Sequence, residues 1–316
     1  MTRAAWAWGG GAAAIVALGA LSVGVALATT AGPEHHVQRY LDALARDDLV
    51  TAARLAGLEA DVALPLGDEG EPSIQRIIAT RPAADGTVAI DAEYGDATDA
   101  ERVTFRLEPA PPLYGVIPAW RFVDPPVAAL EVGVDQHDAL VVGDQPVSTP
   151  GPGESARVAV FVPARVTVRL AEPLLVAEAV VLRAGVDGGA PVVLAALPAP
   201  VLERAVGRLL ADLLEGCTEQ PVLKPAGCPF GLAVDDRVTA GPRWTITELE
   251  TPDLLPGDRP GDWRVRADGV AAAELTVQRL FDGSIGERTE TSAFRVEGTV
   301  RIAGGEPQLT LDPVRP

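Results

Sequence analysis

Val37-Gln38-Arg39-Tyr40-Leu41-Asp42-Ala43-Leu44-Ala45-Arg46-Asp47-Asp48 is the stretch on which the reading of the fold turns. Val37, Tyr40, Leu41 and Leu44 recur at helical spacing, Asp47-Asp48 interrupts the pattern, and residues 49–58 resume it, so two helices are expected. Asp47 or Asp48 is placed to cap the second helix, its carboxylate accepting from backbone N–H groups that a first turn leaves unpaired. Strand-like runs follow at 73–80, 87–94 after the Asp85-Gly86 turn, 102–107 and 119–123.

Two helices feeding a curved antiparallel sheet resemble the nuclear-transport-factor-2-like, cystatin-like α+β fold over residues 33–123, and the opening from Val37 to Asp48 is similar to that of its bacterial exported members. That fold hosts enzymes, binding modules and scaffolds, so it decides no function. After Asp124-Pro125-Pro126 the pattern changes to short strands separated by turn residues, at 128–134, 139–142, 157–162, 165–170 and 176–183, which reads as a small β-sandwich over 127–197. A third unit, 198–316, opens with Ala199-Pro200. There Leu202, Ala205, Val206, Leu209, Leu210 and Leu213 repeat at helical spacing up to Gly216. Strands are expected after it at 244–249, 263–267, 272–281, 292–302 and 308–311, with Asp282-Gly283 as a turn.

Working toward the N-terminus, residues 4–29 run without a charge, and a helix of that length spans about 39 Å, more than the hydrocarbon core of a bilayer. The expectation is a transmembrane helix with residues 1–3 as a cytoplasmic tail, because Arg3 lies on the short flank and Pro33-Glu34 on the other. Arg3, Trp6 and Trp8 would then mark the inner membrane interface, and His35 and His36 the outer boundary. The alternative is a signal peptide cleaved near Ala28, since Ala26-Leu27-Ala28 fits a small-residue site; either way the body is exported. The expected fold class is therefore an N-terminal transmembrane helix, then α+β domains (helix plus curved antiparallel sheet) flanking a small β-sandwich.

Behind such an anchor, the three-part order resembles the extracytoplasmic region of the teicoplanin-resistance-associated membrane protein family and of actinobacterial envelope proteins. The residues that carry the resemblance are Val37-Gln38-Arg39-Tyr40, Val160-Phe161-Val162-Pro163-Ala164 and Pro225-Ala226-Gly227-Cys228-Pro229-Phe230-Gly231. What it implies is an envelope-facing structural or regulatory role without a catalytic motif. Many members have a cytoplasmic zinc-ribbon or low-complexity head, and only three residues precede the apolar run here.

Charge narrows the partners. After position 33 the chain carries 25 basic against 44 acidic residues, a net of −19, and Arg264, Arg266 and Arg279 alternate along apolar stretches instead of forming a stripe. Phosphate backbones would be repelled, so nucleic acid is not an expected partner. A cell-wall polymer or another membrane protein is.

Chemistry is sparse. Cys217 and Cys228 are the only cysteines, and an exported location makes a disulfide between them the default. Two cysteines without a nearby His supply neither a zinc site nor the close spacing of a redox dithiol. Of the three histidines, His137 lies between Asp135 and Asp138 in an expected solvated turn. Gly151-Pro152-Gly153-Glu154-Ser155-Ala156 formally matches a dinucleotide fingerprint, but no strand leads in, no helix follows, and Pro152 removes an N–H. Asp68-Glu69 and Asp235-Asp236 lack the ligand alternation of a calcium loop. The expectation is a non-enzymatic membrane-anchored envelope protein with a structural, binding or regulatory role and no catalytic residue, metal or cofactor, its contacts made through an edge strand or a concave sheet face. Two alternatives stay open: a carboxylate-dependent peptidoglycan or glycan hydrolase, and a sensor enclosing a small apolar ligand.

Overall fold

The structure, a computed structural model, describes residues 31–59, 64, 74–96, 100–114, 117–185 and 190–313. Its first unit begins with α1 (Pro33–Ala45), entered by Pro33, whose missing N–H costs nothing at a first turn, and by the acidic Glu34. Val37, Tyr40, Leu41 and Leu44 bury one face of it. Asp47 takes a left-handed φ of 56° and turns the chain, and Asp48 then caps α2 (Leu49–Ala56) by accepting from the Thr51 N–H at 3.1 Å. Gly57, at φ 78°, ends α2.

The helix pair packs on an antiparallel meander of β1 (Ile74–Pro82), β2 (Val88–Gly95), β3 (Glu101–Leu113) and β4 (Ile117–Phe122), ordered β1-β2-β3-β4. Ile90, Phe105, Leu107 and Phe122 alternate toward the helices and fill the interior with Tyr40. On the opposite face Asp91 binds Arg81 and Thr104, and Glu93 binds Arg76.

The middle unit stacks two sheets. One holds β5 (Val127–Val134) between β8 (Ser155–Phe161) and a short parallel β12 (Val192–Leu194). The other, in the order β11-β9-β6-β7, holds β6 (Ala139–Val142), β7 (Gln145–Ser148), β9 (Ala164–Leu170) and β11 (Val180–Ala184). Leu130, Val132, Val160, Leu140, Val142, Val166 and Val168 are buried between them. A two-residue ladder of β10 (Leu175–Val176) and β13 (Leu197–Pro198) leads into the third unit.

There α3 (Pro200–Thr218) buries Leu202, Val206, Leu210 and Leu214 against a curled antiparallel sheet. That sheet comprises β14 (Arg237–Leu249), β15 (Asp253–Pro256), β16 (Asp262–Gln278), β17 (Ile285–Ala303) and β18 (Glu306–Leu311), in the order β14-β16-β17-β18 with β15 also on β16. The Gly261 N–H donates to Gln136 at 2.9 Å and joins this unit to the middle one.

The expected fold class is corrected. Strands account for 52% of the described residues and helices for 15%, so the described part of the chain is mainly β rather than a pair of α+β domains flanking a sandwich. None of the three described helices is long and apolar enough to cross a membrane. The longest, α3, carries Glu203, Arg204, Arg208, Asp212 and Glu215, charges that a bilayer core would not accept. The run over 4–29, with Arg3, Trp6 and Trp8, lies outside the described residues. Long strands account for much of the β excess. Asp268-Gly269 reads as a break in sequence, yet β16 passes through it for 17 residues without interruption.

Candidate strand-addition site

β17 is longer than the partner on its outer side. It pairs with β16 from Ile285 to Arg301 without a register shift, whereas β18 covers only Gly298 to Ala303. Asp312 adds one bond, its N–H donating to the Glu297 carbonyl at 2.9 Å. That bond shows which backbone groups face outward. Glu297 turns its polar groups toward the β18 side, and because alternate residues of a strand share a direction, so do Arg295, Ala293, Thr291, Thr289 and Glu287. Among the described residues no backbone partner meets them on that side. An open row of N–H and C=O groups is a template for another strand.

The end of this row opens into a cleft of about 820 Å³ bounded by Ala293–Glu297 of β17, Leu311 to Pro313, and Gly227 and Pro229. Gly227 belongs to the loop closed by the Cys217–Cys228 disulfide, which joins Cα atoms 5.8 Å apart, and Pro229 directly follows it. This loop is held over the sheet at several points. Trp244 donates its Nε1–H to the Val222 carbonyl at 2.9 Å, Phe230 packs on Trp244 and Phe294 with ring centroids 4.8 and 5.5 Å away, and Ser292 donates to the Gly231 carbonyl at 3.1 Å. Gln220 bridges the loop ends, accepting from the Ala226 N–H at 2.8 Å. The expected disulfide is thus present, and it forms one wall of the cleft.

At the other end of the row the β16–β17 hairpin turns. Asp282 accepts from the Ser284 N–H at 3.0 Å and from its hydroxyl at 2.7 Å, which also hold its carboxyl below the usual range, and Gly283 supplies a φ of 73°. The turn leaves Leu280, Phe281 and Ile285 at 72%, 99% and 67% exposure. Three large apolar side chains at one tip are uncommon on a free surface and mark contact sites.

The residues weighed for chemistry go elsewhere. His137 is tucked in, not solvated: its Nδ1 accepts from the Ala139 N–H at 3.0 Å and its Nε2 lies 3.6 Å from Glu172. His36 is half-buried, in contact with Phe122 and 3.1 Å from the Leu55 carbonyl, which places its ring inside the first unit. Asp235 and Asp236 do not form a cage; Asp236 meets Arg288 at 3.5 Å and accepts from the Leu280 N–H. Among the described residues no group of three or more His, Cys, Asp or Glu side chains could hold a metal.

Sequence reading missed the open edge, although a signal for it exists. Glu287-Arg288-Thr289-Glu290-Thr291-Ser292 is polar at successive positions, so neither face of that segment is fully committed to a core. Strands with both faces polar belong at sheet margins. No family model matches this chain, and neither does any curated protein or solved structure.

Proposed function

We propose that this protein is a non-enzymatic component of the cell envelope, acting outside the cytoplasm, that holds an extended partner segment against the open edge of β17. The row from Glu287 to Arg295, which meets no backbone partner among the described residues and ends in the cleft beside the disulfide loop, is the observation that carries the reading. Strand addition draws affinity from main-chain hydrogen bonds and selectivity from flanking pockets, and both are present here. The Cys217–Cys228 disulfide supports an oxidising compartment. The role agrees with what the resemblance to the teicoplanin-resistance-associated membrane protein family implies.

The test is capture of envelope components by the full-length chain, with cell-wall fragments retained, compared with Thr291→Pro. Proline removes one outward N–H and leaves the ladder to β16 intact. Loss of the captured material in the variant is the expected result. Equal capture by both proteins, or turnover of cell-wall substrates abolished by a single carboxylate substitution, would overturn the proposal.

A further inference from the structure

We infer that the segment received by the β17 edge is β17 of a second copy, paired antiparallel about a two-fold axis through Thr289; this rests on reading the edge as a binding surface. A self-paired edge must satisfy three conditions at once: outward backbone groups must meet outward backbone groups, side chains across the axis must be compatible, and nothing already built may be struck.

An axis through Thr289 meets all three. It sets Thr289 opposite its own copy, Glu287 opposite Thr291, and Ile285 opposite Ala293, and every one of these belongs to the set whose N–H and C=O point outward. Between them Arg288 of each chain, which meets Glu290 of its own chain at 3.1 Å, also faces Glu290 of the other, so these two charged positions are matched twice by symmetry. Neighbouring axes fail. Through Glu287 or Glu290 two carboxylates would oppose each other, and through Arg288 two guanidinium groups would. Through Thr291 the hairpin turn would fall on Gly298 and Thr299, which β18 already occupies.

The same register accounts for the apolar tip. With Thr289 on the axis, Ile285 comes level with Ala293 of the second copy, so the hairpin turn that carries Leu280 and Phe281 lies beside residues 294–297. That is where β18 stops and the cleft of Leu311, Pro313 and Pro229 opens. The exposed Leu280 and Phe281 of each chain would enter the cleft of the other, and a second copy would compete with an envelope segment for the same edge of β17. The arrangement is isologous and closed, so it ends at two chains.

The experiment is sedimentation of the full-length chain, wild type against charge variants. Wild type is expected to sediment as two chains. Arg288→Glu and Glu290→Arg, each placing like charges across the axis twice, should weaken association on the order of ten-fold. The double variant R288E/E290R should restore it, because the exchanged charges again oppose each other. Arg288 also meets Asp236 and Glu290 of its own chain, so Phe281→Ser and Thr291→Pro, at exposed positions, carry the test if the charge variants fail to fold. A wild-type protein that sediments as one chain at every concentration, or variants that associate as wild type does, would overturn the pairing. If wild type is monomeric while Thr291→Pro still abolishes envelope capture, the pairing falls and the proposed function stands. If Thr291→Pro changes neither measurement, both fall.

Discussion

The Tyr40 hydroxyl donates to the Val162 carbonyl oxygen at 2.8 Å, with the Pro126 carbonyl 3.1 Å away, so a helix of the first unit is bonded to both strands at one end of the β5–β8 ladder of the middle unit. The ring is fully buried among Phe105, Phe122 and Phe161. Burial in apolar surroundings pushes the phenol well above its ordinary value, which keeps it a donor at any physiological pH. Tyr40→Phe retains the packing and deletes the one hydroxyl that serves two buried carbonyls. A loss of about 1–3 kcal/mol is expected, read as a lower denaturant midpoint at unchanged slope.

Gly269 makes the length of β16 possible. A Cβ there would lie 2.5 Å from Cζ of Phe294 and 2.8 Å from the Glu248 carbonyl, and Phe294 is itself backed by Phe230. Gly269→Ala should therefore destabilise by about 1–3 kcal/mol through overpacking. Adding Phe294→Leu, which removes the ring from the contact, should cost less than the two single effects summed. Thermal unfolding of the four proteins measures that coupling, and strict additivity would refute the contact as the cause.

These two sites show what was legible in the sequence and what was not. The spacing of Val37, Tyr40, Leu41 and Leu44 sufficed for α1, and Asp48 for the start of α2, because both depend on local backbone chemistry. Val166, Val168 and Leu170 alternate as a strand must, and they form β9. The gap expected between strands 263–267 and 272–281 is filled for the opposite reason. A glycine next to Asp268 has the local signature of a turn, and only the distant Phe294 ring gives it a place inside a strand. The cleft is non-local as well: it needs β17 to outrun β18 and the disulfide loop to fold back, neither of which is written in any one segment. Cys217 and Cys228 were readable because two cysteines permit one pairing.

Acid should act in two steps. Burial holds the His36 imidazole below its ordinary value of 6.5, so the folded state favours the neutral ring. Stability from that source is complete above 6.5 and is lost as pH falls through the lower folded value. Asp91 follows the same sign at lower pH: hydrogen bonds from Arg81 and Thr104 hold its carboxyl below 3.8, so its contribution is present above 3.8 and fades as pH falls further. Denaturant midpoints recorded from neutral pH downward should decline first in the His36 window and again below the ordinary carboxylate range. His36→Gln should flatten the first decline and Asp91→Asn should reduce the second. A decline unchanged by its own substitution would exclude that residue as its source.

The disulfide should govern both the stability of the third unit and the shape of its cleft. Cys217 ends the buried face of α3 and Cys228 precedes the Phe230 that packs on Trp244, so the bridge fixes the loop between helix and sheet. Its ends are 11 positions apart, and closing a loop of that size constrains the unfolded chain by roughly 2.8 kcal/mol in the chain-entropy picture. Replacing both cysteines with serine should lower stability by about 2–3 kcal/mol while the β16–β17 ladder, which includes no residue of the loop, stays intact. Hydrogen exchange separates these effects. Amides of 220–231 should lose protection in the variant, and those of Val265, Ala267 and Ala273 should keep theirs up to the new global limit. Uniform loss across the sheet would mean that the bridge holds the whole unit together rather than one wall of the cleft.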